Sequence, residues 1–213
     1  MFDFGQFMPP LLRGAMLTIF LCVVSGILGT LIGLIFGLAR SSSVRLVRWV
    51  ASIYVNFIRG IPILIILLFI YFALPLMFPT VTFSQGVTAI AGLSIYSGAY
   101  LAEIFRGSIA AVPRGQMEAA DALGMHYMQK MRYVILPQAM KVAIPPAIGF
   151  LIALVKASSL VSVIGSTDLT RAGRIITSQN HLPLNTFVVV AALYFLISYP
   201  ISLLGRWYER RLT

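Results

Sequence analysis

Lys156 and Glu103 are the residues whose types fit their surroundings least. Each interrupts a long apolar run, where an ionisable side chain is expensive and marks a functional site by default. An ammonium at Lys156 suits an anionic partner such as a carboxylate, and Ser158 and Ser159 just after it add hydroxyl donors. The same lysine also reads as half of a protein ion pair, or as a side chain that snorkels to the bilayer surface. Glu103 suits a cation. Arg106 follows three residues later on the same helical face, and Arg59 lies at a similar depth on another run, so a structural ion pair is the stronger reading there. Tyr96, Ser97 and Tyr100 offer hydroxyls and aromatic faces to an ammonium or guanidinium, and core packing accounts for them equally well. No His–Asp pair accompanies Ser158-Ser159, and Glu118 and Asp121 stand i,i+3 on one stretch rather than facing each other. The chemistry on offer is binding, not bond breaking.

Such groups need rigid carriers. The chain is 59% hydrophobic and only 10% charged, where a soluble domain carries roughly a quarter charged residues. A spanning helix takes about 20 mostly apolar residues, and runs of that kind are expected at 11–39, 50–77, 87–110, 143–165 and 184–204. The fold class is therefore an all-α membrane protein with five transmembrane helices, and 1–213 reads as a single transmembrane domain. If the fourth span starts near Ala143, Lys156 lies about 20 Å in at 1.5 Å per residue, past the midplane. Counted from Val87, Glu103 lies about 24 Å along the third. Gly29, Gly33 and Gly37 share one face of the first span, a spacing that lets another helix approach closely. Gly60 and Pro62 are expected to loosen or kink the first turns of the second, because proline removes a backbone donor.

Net charge is +10, from 16 Lys+Arg against 6 Asp+Glu. The basic residues cluster beside the spans, which points to membrane topology and away from nucleic acid. Arg40, Arg45, Arg48, Arg106, Arg114, Lys130, Arg132, Arg206, Arg210 and Arg211 fall on one side; Arg13, Arg171 and Arg174 fall on the other. The positive-inside bias then places the N-terminus outside and the C-terminus in the cytoplasm. Cys22 is the only cysteine, so no disulfide forms within the chain. His126 and His181 lack metal-ligand spacing, and no GxxxxGK[ST] occurs. The start, MFDFGQFMPPLLRG, lacks the basic n-region and the small-residue cleavage site of a signal peptide.

Between the third and fourth spans the chain turns polar, as EAADALGMHYMQKMRYVILP over 118–137. Gln116–Leu123 is rich in helix formers, with Glu118 in the first turn, where a carboxylate complements the helix dipole. Gly124 suits the left-handed end of such a helix, and a second helical piece is expected from Met125 to Val134. On physical grounds the loop at about 113–134 is either a docking surface for a cytoplasmic partner or an amphipathic helix resting on headgroups through Lys130 and Arg132. Ala119, Ala120 and Ala122 would let a partner come close to the backbone.

Glu118-Ala119-Ala120, three residues, Gly124, nine residues and then Val134-Ile135-Leu136-Pro137 resembles the EAA loop of ABC importer permeases. AYLAEIFRGSI, VPRGQMEAADALG, LPQAMKVAIPPAIGFLIALVKASSLVSVIG and Phe57-Ile58-Arg59-Gly60-Ile61-Pro62 resemble the polar amino-acid group, which handles basic amino acids, histidine, glutamine and glutamate. The likeness runs through nearly the whole chain. One departure is local: many relatives carry a polar or acidic residue after the lysine of KASSL, where this chain has Ala157, so no residue is implied for the side-chain end of a pocket.

The resemblance implies that 113–134 holds a coupling helix and that Glu118, Ala119, Ala120, Asp121, Leu123 and Gly124 meet a groove of a cytoplasmic ATPase. It implies two such ATPase subunits carrying ATP and Mg, with no cofactor on this chain. It also implies an external solute-binding protein, an amino-acid substrate and residence in the bacterial cytoplasmic (inner) membrane. Five spans are few to enclose a path, so a second permease is implied, with a homodimer as the default and a related partner as the rival. Lys156 would then take the α-carboxylate, with Ser158, Ser159, Tyr96, Ser97, Tyr100 and Glu103 as further substrate contacts. Glu103 and Asp168, the latter in the outer loop, lean toward a basic cargo, although Asp168 equally suits a helix cap. The rivals are a secondary transporter, which would need inverted repeats that five spans do not offer, and a membrane adaptor that recruits an ATPase without transport.

Overall fold

Three glycines bring two helices of this protein into close contact. A Cβ on Gly33 would fall 2.7 Å from Leu101 Cβ and 3.1 Å from the backbone nitrogen of Ala102, and one on Gly37 would fall 2.9 Å from Phe105 Cβ. Gly29 meets Ser97 and Gly98 in the same way. The helices carrying these residues touch along their length with almost no side chain between them. In a bilayer no hydrophobic force drives two helices together, so van der Waals packing of this kind holds them.

The computed structural model describes residues 4–80 and 82–211, and every regular element among them is helical. In chain order these are α1 (Phe4–Arg40), α2 (Arg45–Gly60), α3 (Ile63–Met77), α4 (Gln85–Ala110), α5 (Arg114–Ala122), α6 (Tyr127–Ile164), α7 (Leu169–Asn180) and α8 (Pro183–Glu209). α1 begins at Phe4 and runs through Pro9 and Pro10. Phe7, Leu11 and Ala15 are buried in a cluster with Leu169, Ala172, Ile176 and Val190, and that packing carries the helix past its prolines. Its 37 residues measure about 55 Å against a hydrocarbon core of about 30 Å, so α1 must tilt or project.

The second span, expected as one kinked helix over 50–77, is two helices meeting at 102°. Pro62 cannot donate, and Ile61 before it is extended (φ −112°, ψ 135°), the conformation that a following proline favours. α2 therefore ends at Gly60, and Pro62 becomes the first acceptor of α3, from Ile65 N at 2.9 Å and Ile66 N at 3.3 Å. Each half falls short of about 20 residues. Among the described residues four helices are long and apolar enough to cross a membrane, or five when the bent pair counts as one.

α3 carries a wide turn over Phe69–Ala73. α6 widens over Lys130–Ile135 and tightens into a 3-10 segment over Ser158–Ile164, ended by Gly165 at φ +94°. One core joins Leu21, Leu67, Leu93, Leu154 and Val161 from four helices, and a smaller one joins Leu101, Phe105 and Ala143. α8 stays at the margin, with Val188, Phe195, Leu196 and Leu204 exposed. So large an apolar face is stable only against lipid or another protein.

Candidate functional site

The bundle has two ends. At the first, where α1 and α4 finish, Glu103 is gripped by three guanidinium groups. Arg40 and Arg106 both pair with it, Arg106 Nε also donates to Oε1 at 3.0 Å, and Arg59 lies 3.2 Å from Oε2. Arg59 is the next-to-last residue of α2, so this cluster fastens the elbow to α4. The Arg59 guanidinium also sits 5.4 Å from the centroid of the Tyr100 ring. Tyr100 stacks on Phe150 of α6 at 5.4 Å, with Tyr96 4.7 Å from Tyr100. Arg59 and Arg106 were legible as neighbours of Glu103 by depth and spacing. Arg40 and Phe150 were not singled out; that Arg40 ends its helix at the same level was the available signal for the first.

The serines divide differently. Ser97 is fully buried, and its hydroxyl lies 2.7 Å from Leu93 O and 3.2 Å from Ser25 O of α1. Ser158 is also buried and donates to Val155 O at 2.7 Å, while Ser159 donates to Lys156 O at 2.8 Å. All three hydroxyls are engaged by helix carbonyls, a common role for serine inside a span. Lys156 is exposed and closes a stripe of exposed residues along α6: Val142, Pro146, Gly149 and Ala153. The ion pairs among the described residues are those of Glu103 and Asp121, and Lys156 enters none of them. Tyr96, Tyr100 and Glu103 thus gather around Arg59 and Phe150, and Lys156 stands apart on another face of α6.

The polar loop forms a small folded unit. α5 packs on the wide turn at the start of α6, Lys130 pairs with Asp121, and Gln138 Nε2 lies 3.1 Å from Gln116 Oε1. Gly124, at φ +72°, follows the end of α5 and turns the chain toward α6. His126 and Gln129 form a capping box that starts α6. Ala120 is turned inward and buried, so it serves the unit's own packing; Glu118, Ala119, Asp121 and Gly124 are exposed, and Leu123 is 76% exposed. Met117, Tyr127 and Met128 are exposed beside them.

At the opposite end Asp168 caps α7. It is fully buried, and its carboxylate accepts from Thr170 N at 3.1 Å and Arg171 N at 3.2 Å, with Tyr194 Oη donating at 3.4 Å. Burial pushes this carboxyl above its ordinary value, against the lowering effect of those backbone donors. Of its two sequence readings, this geometry is the cap. Asp168→Ala is expected to destabilise the protein by about 1–2 kcal/mol, and Asp168→Asn, which keeps an acceptor, by clearly less. Thermal unfolding in detergent checks the order of the two.

The family described as binding-protein-dependent transport system inner membrane component matches residues 29–213. Among relatives, the probable amino-acid ABC transporter permease protein YckA of Bacillus subtilis is 40% identical over 189 residues, covering 89% of this chain and 83% of that one. The glutamine transport system permease protein GlnP of Escherichia coli is 38% identical over 204 residues, covering 96% and 93%. A crystal structure of an amino acid ABC transporter with histidines aligns with a TM-score of 0.91 at 38% identity, over 99% of both chains.

Proposed function

The chain belongs to the binding-protein-dependent transport system inner membrane components, as a permease subunit of an amino-acid ABC importer and not itself an enzyme, and from this we propose how it is assembled and what it holds. Two copies face each other across a path, with two cytoplasmic ATPase subunits below and a solute-binding protein above. ATP and Mg belong to the ATPase subunits, and this chain holds no cofactor. The membrane is the bacterial inner membrane, with the N-terminus outside and the C-terminus in the cytoplasm, which puts most of the basic residues on the cytoplasmic side. α5 is then the coupling helix between the third and fourth spans, offering Glu118 and Leu123 to the ATPase.

The observation that carries this reading is Lys156. An exposed ammonium on a membrane helix, with no ion pair among the described residues, belongs in a water-filled path rather than against lipid. A second permease copy over the Val142–Lys156 stripe encloses such a path. The α-carboxylate of an amino acid is then the natural partner of Lys156. A basic cargo loses support, because its two acids have other work: Glu103 holds three arginines and Asp168 caps a helix. The cargo we propose is a polar amino acid recognised through its α-carboxylate.

The test is uptake of labelled amino acids into liposomes holding the permease, its ATPase and its solute-binding protein. Uptake is expected to need ATP and to fall at least tenfold in Lys156→Ala, with Lys156→Arg retaining part of it. Uptake that proceeds without ATP would establish a secondary transporter. ATPase recruitment without any uptake would establish an adaptor.

A further inference from the structure

At the Asp168 end, Arg171 and Arg174 of α7 line an open notch of ≈ 390 Å³ with Ser162, Val163, Ile175 and Ser178. Both guanidinium groups point at a single carbonyl, that of Ser162, with Arg174 Nη2 at 3.0 Å and Arg171 Nη1 at 3.5 Å. Ser162 lies within the 3-10 segment after Lys156, and its carbonyl also accepts from Gly165 N at 3.3 Å. A carbonyl is a weak partner for two full charges. Neither arginine meets a carboxylate among the described residues. Asp168, three residues before Arg171, is buried as the cap and turned to backbone donors. The notch therefore holds two cations, two hydroxyl-bearing side chains and two exposed apolar side chains, Val163 and Ile175, and no acid.

Resting on the function proposed above, we infer that this notch is the docking point for a solvent-exposed Asp or Glu side chain of the solute-binding protein. A planar guanidinium fork matches a carboxylate in two parallel hydrogen bonds, and each arginine has N–H donors beyond the one given to Ser162. Val163 and Ile175 flank the site with surface for the methylene stem of such a side chain. A free amino acid fits worse, because its ammonium would sit against two guanidinium groups with no acid to receive it. The other described basic residue assigned to this side, Arg13, is also exposed. A partner landing on this face thus meets positive charge and needs a negative patch, an arrangement that speeds encounter and fixes orientation.

The experiment measures the Kd of the purified solute-binding protein for the permease–ATPase complex in nanodiscs, at low and high salt. Arg174→Glu is expected to weaken binding at least tenfold and to flatten its salt dependence, with Arg174→Lys in between because it keeps charge but loses the fork. Arg13→Glu, which changes net charge equally outside the notch, is expected to weaken binding through that general charge alone and by clearly less than Arg174→Glu; an equal loss would overturn the notch as the docking point. A single Asp→Lys or Glu→Lys change on the binding protein should restore affinity to Arg174→Glu. Wild-type affinity in Arg174→Glu overturns the proposal and leaves the importer assignment standing, whereas a wild-type complex that binds no solute-binding protein overturns both. An effect that disappears in nanodiscs of purely zwitterionic lipid assigns the notch to an anionic headgroup and also overturns it. Gel filtration of each variant with its ATPase separates loss of docking from loss of folding.

Discussion

Glu118→Lys and Leu123→Asp should each uncouple the permease from its ATPase while leaving the permease folded. Leu123 is 76% exposed and Glu118 is exposed, so neither does much for its own chain. On the proposed docking, Leu123 enters the ATPase groove as an apolar knob and Glu118 supplies charge beside it. Removing a central apolar anchor from an interface costs about 2 kcal/mol or more, which is a loss of roughly thirtyfold or more in affinity. Substrate-stimulated ATP hydrolysis should therefore fall to near the rate of the isolated ATPase. The complementary variant is Ala120→Leu. Its parent residue is buried within the loop, so it should lower the melting temperature of the permease itself. Unchanged stimulation in both Glu118→Lys and Leu123→Asp would leave α5 as a surface helix and take away the loop's assigned role.

Gly33→Leu is expected to prevent formation of stable permease. Its new Cβ would lie 2.7 Å from Leu101 Cβ, 3.1 Å from Ala102 N and 3.2 Å from the Leu101 carbonyl carbon. Two of those three atoms are backbone, which cannot rotate away. Overpacking a core costs about 1–3 kcal/mol even where side chains can yield, and here the helices themselves must separate, which also loosens the contacts at Gly29 and Gly37. Fluorescence-detected gel filtration should show loss of the monodisperse peak. Gly60→Ala is the matched control: nothing lies within 4 Å of a Cβ there, and the protein should tolerate it. A normal peak from Gly33→Leu would mean that α1 and α4 do not pack backbone to backbone.

What could be read from the residues was mostly local. The helix-ending role of Gly124, the close-packing face of Gly29, Gly33 and Gly37, and the break near Pro62 each follow from one residue's backbone or size. The angle at the break did not, because 102° is set by what α2 and α3 pack against. Tyr54 of α2 donates to Ile95 O at 2.8 Å, and Leu67 of α3 fills the space over Gly92. Such partners lie dozens of residues away. The candidate site shows the same limit. Arg106 was legible beside Glu103 because i,i+3 is a helix rule, whereas Arg40 comes from 63 residues earlier. Ser97 and Ser158 carried no mark in sequence to tell a hydroxyl offered to cargo from one turned to a carbonyl.

The elbow between α2 and α3 also bears on how the chain enters the membrane. Its halves have 16 and 15 residues, and the first carries Arg45, Arg48 and Arg59. Neither half is long enough to be recognised alone as a spanning segment during synthesis. The face of α3 that must be covered contacts α4, and Arg59 finds its carboxylate on α4 as well. Both arrive only after the ribosome has passed residue 103. α1 is already available to pack against this stretch, but its contacts with α4 form only once α4 has emerged. If the bent pair counts as one span, its insertion is expected to be coupled to that of α4 rather than independent of it.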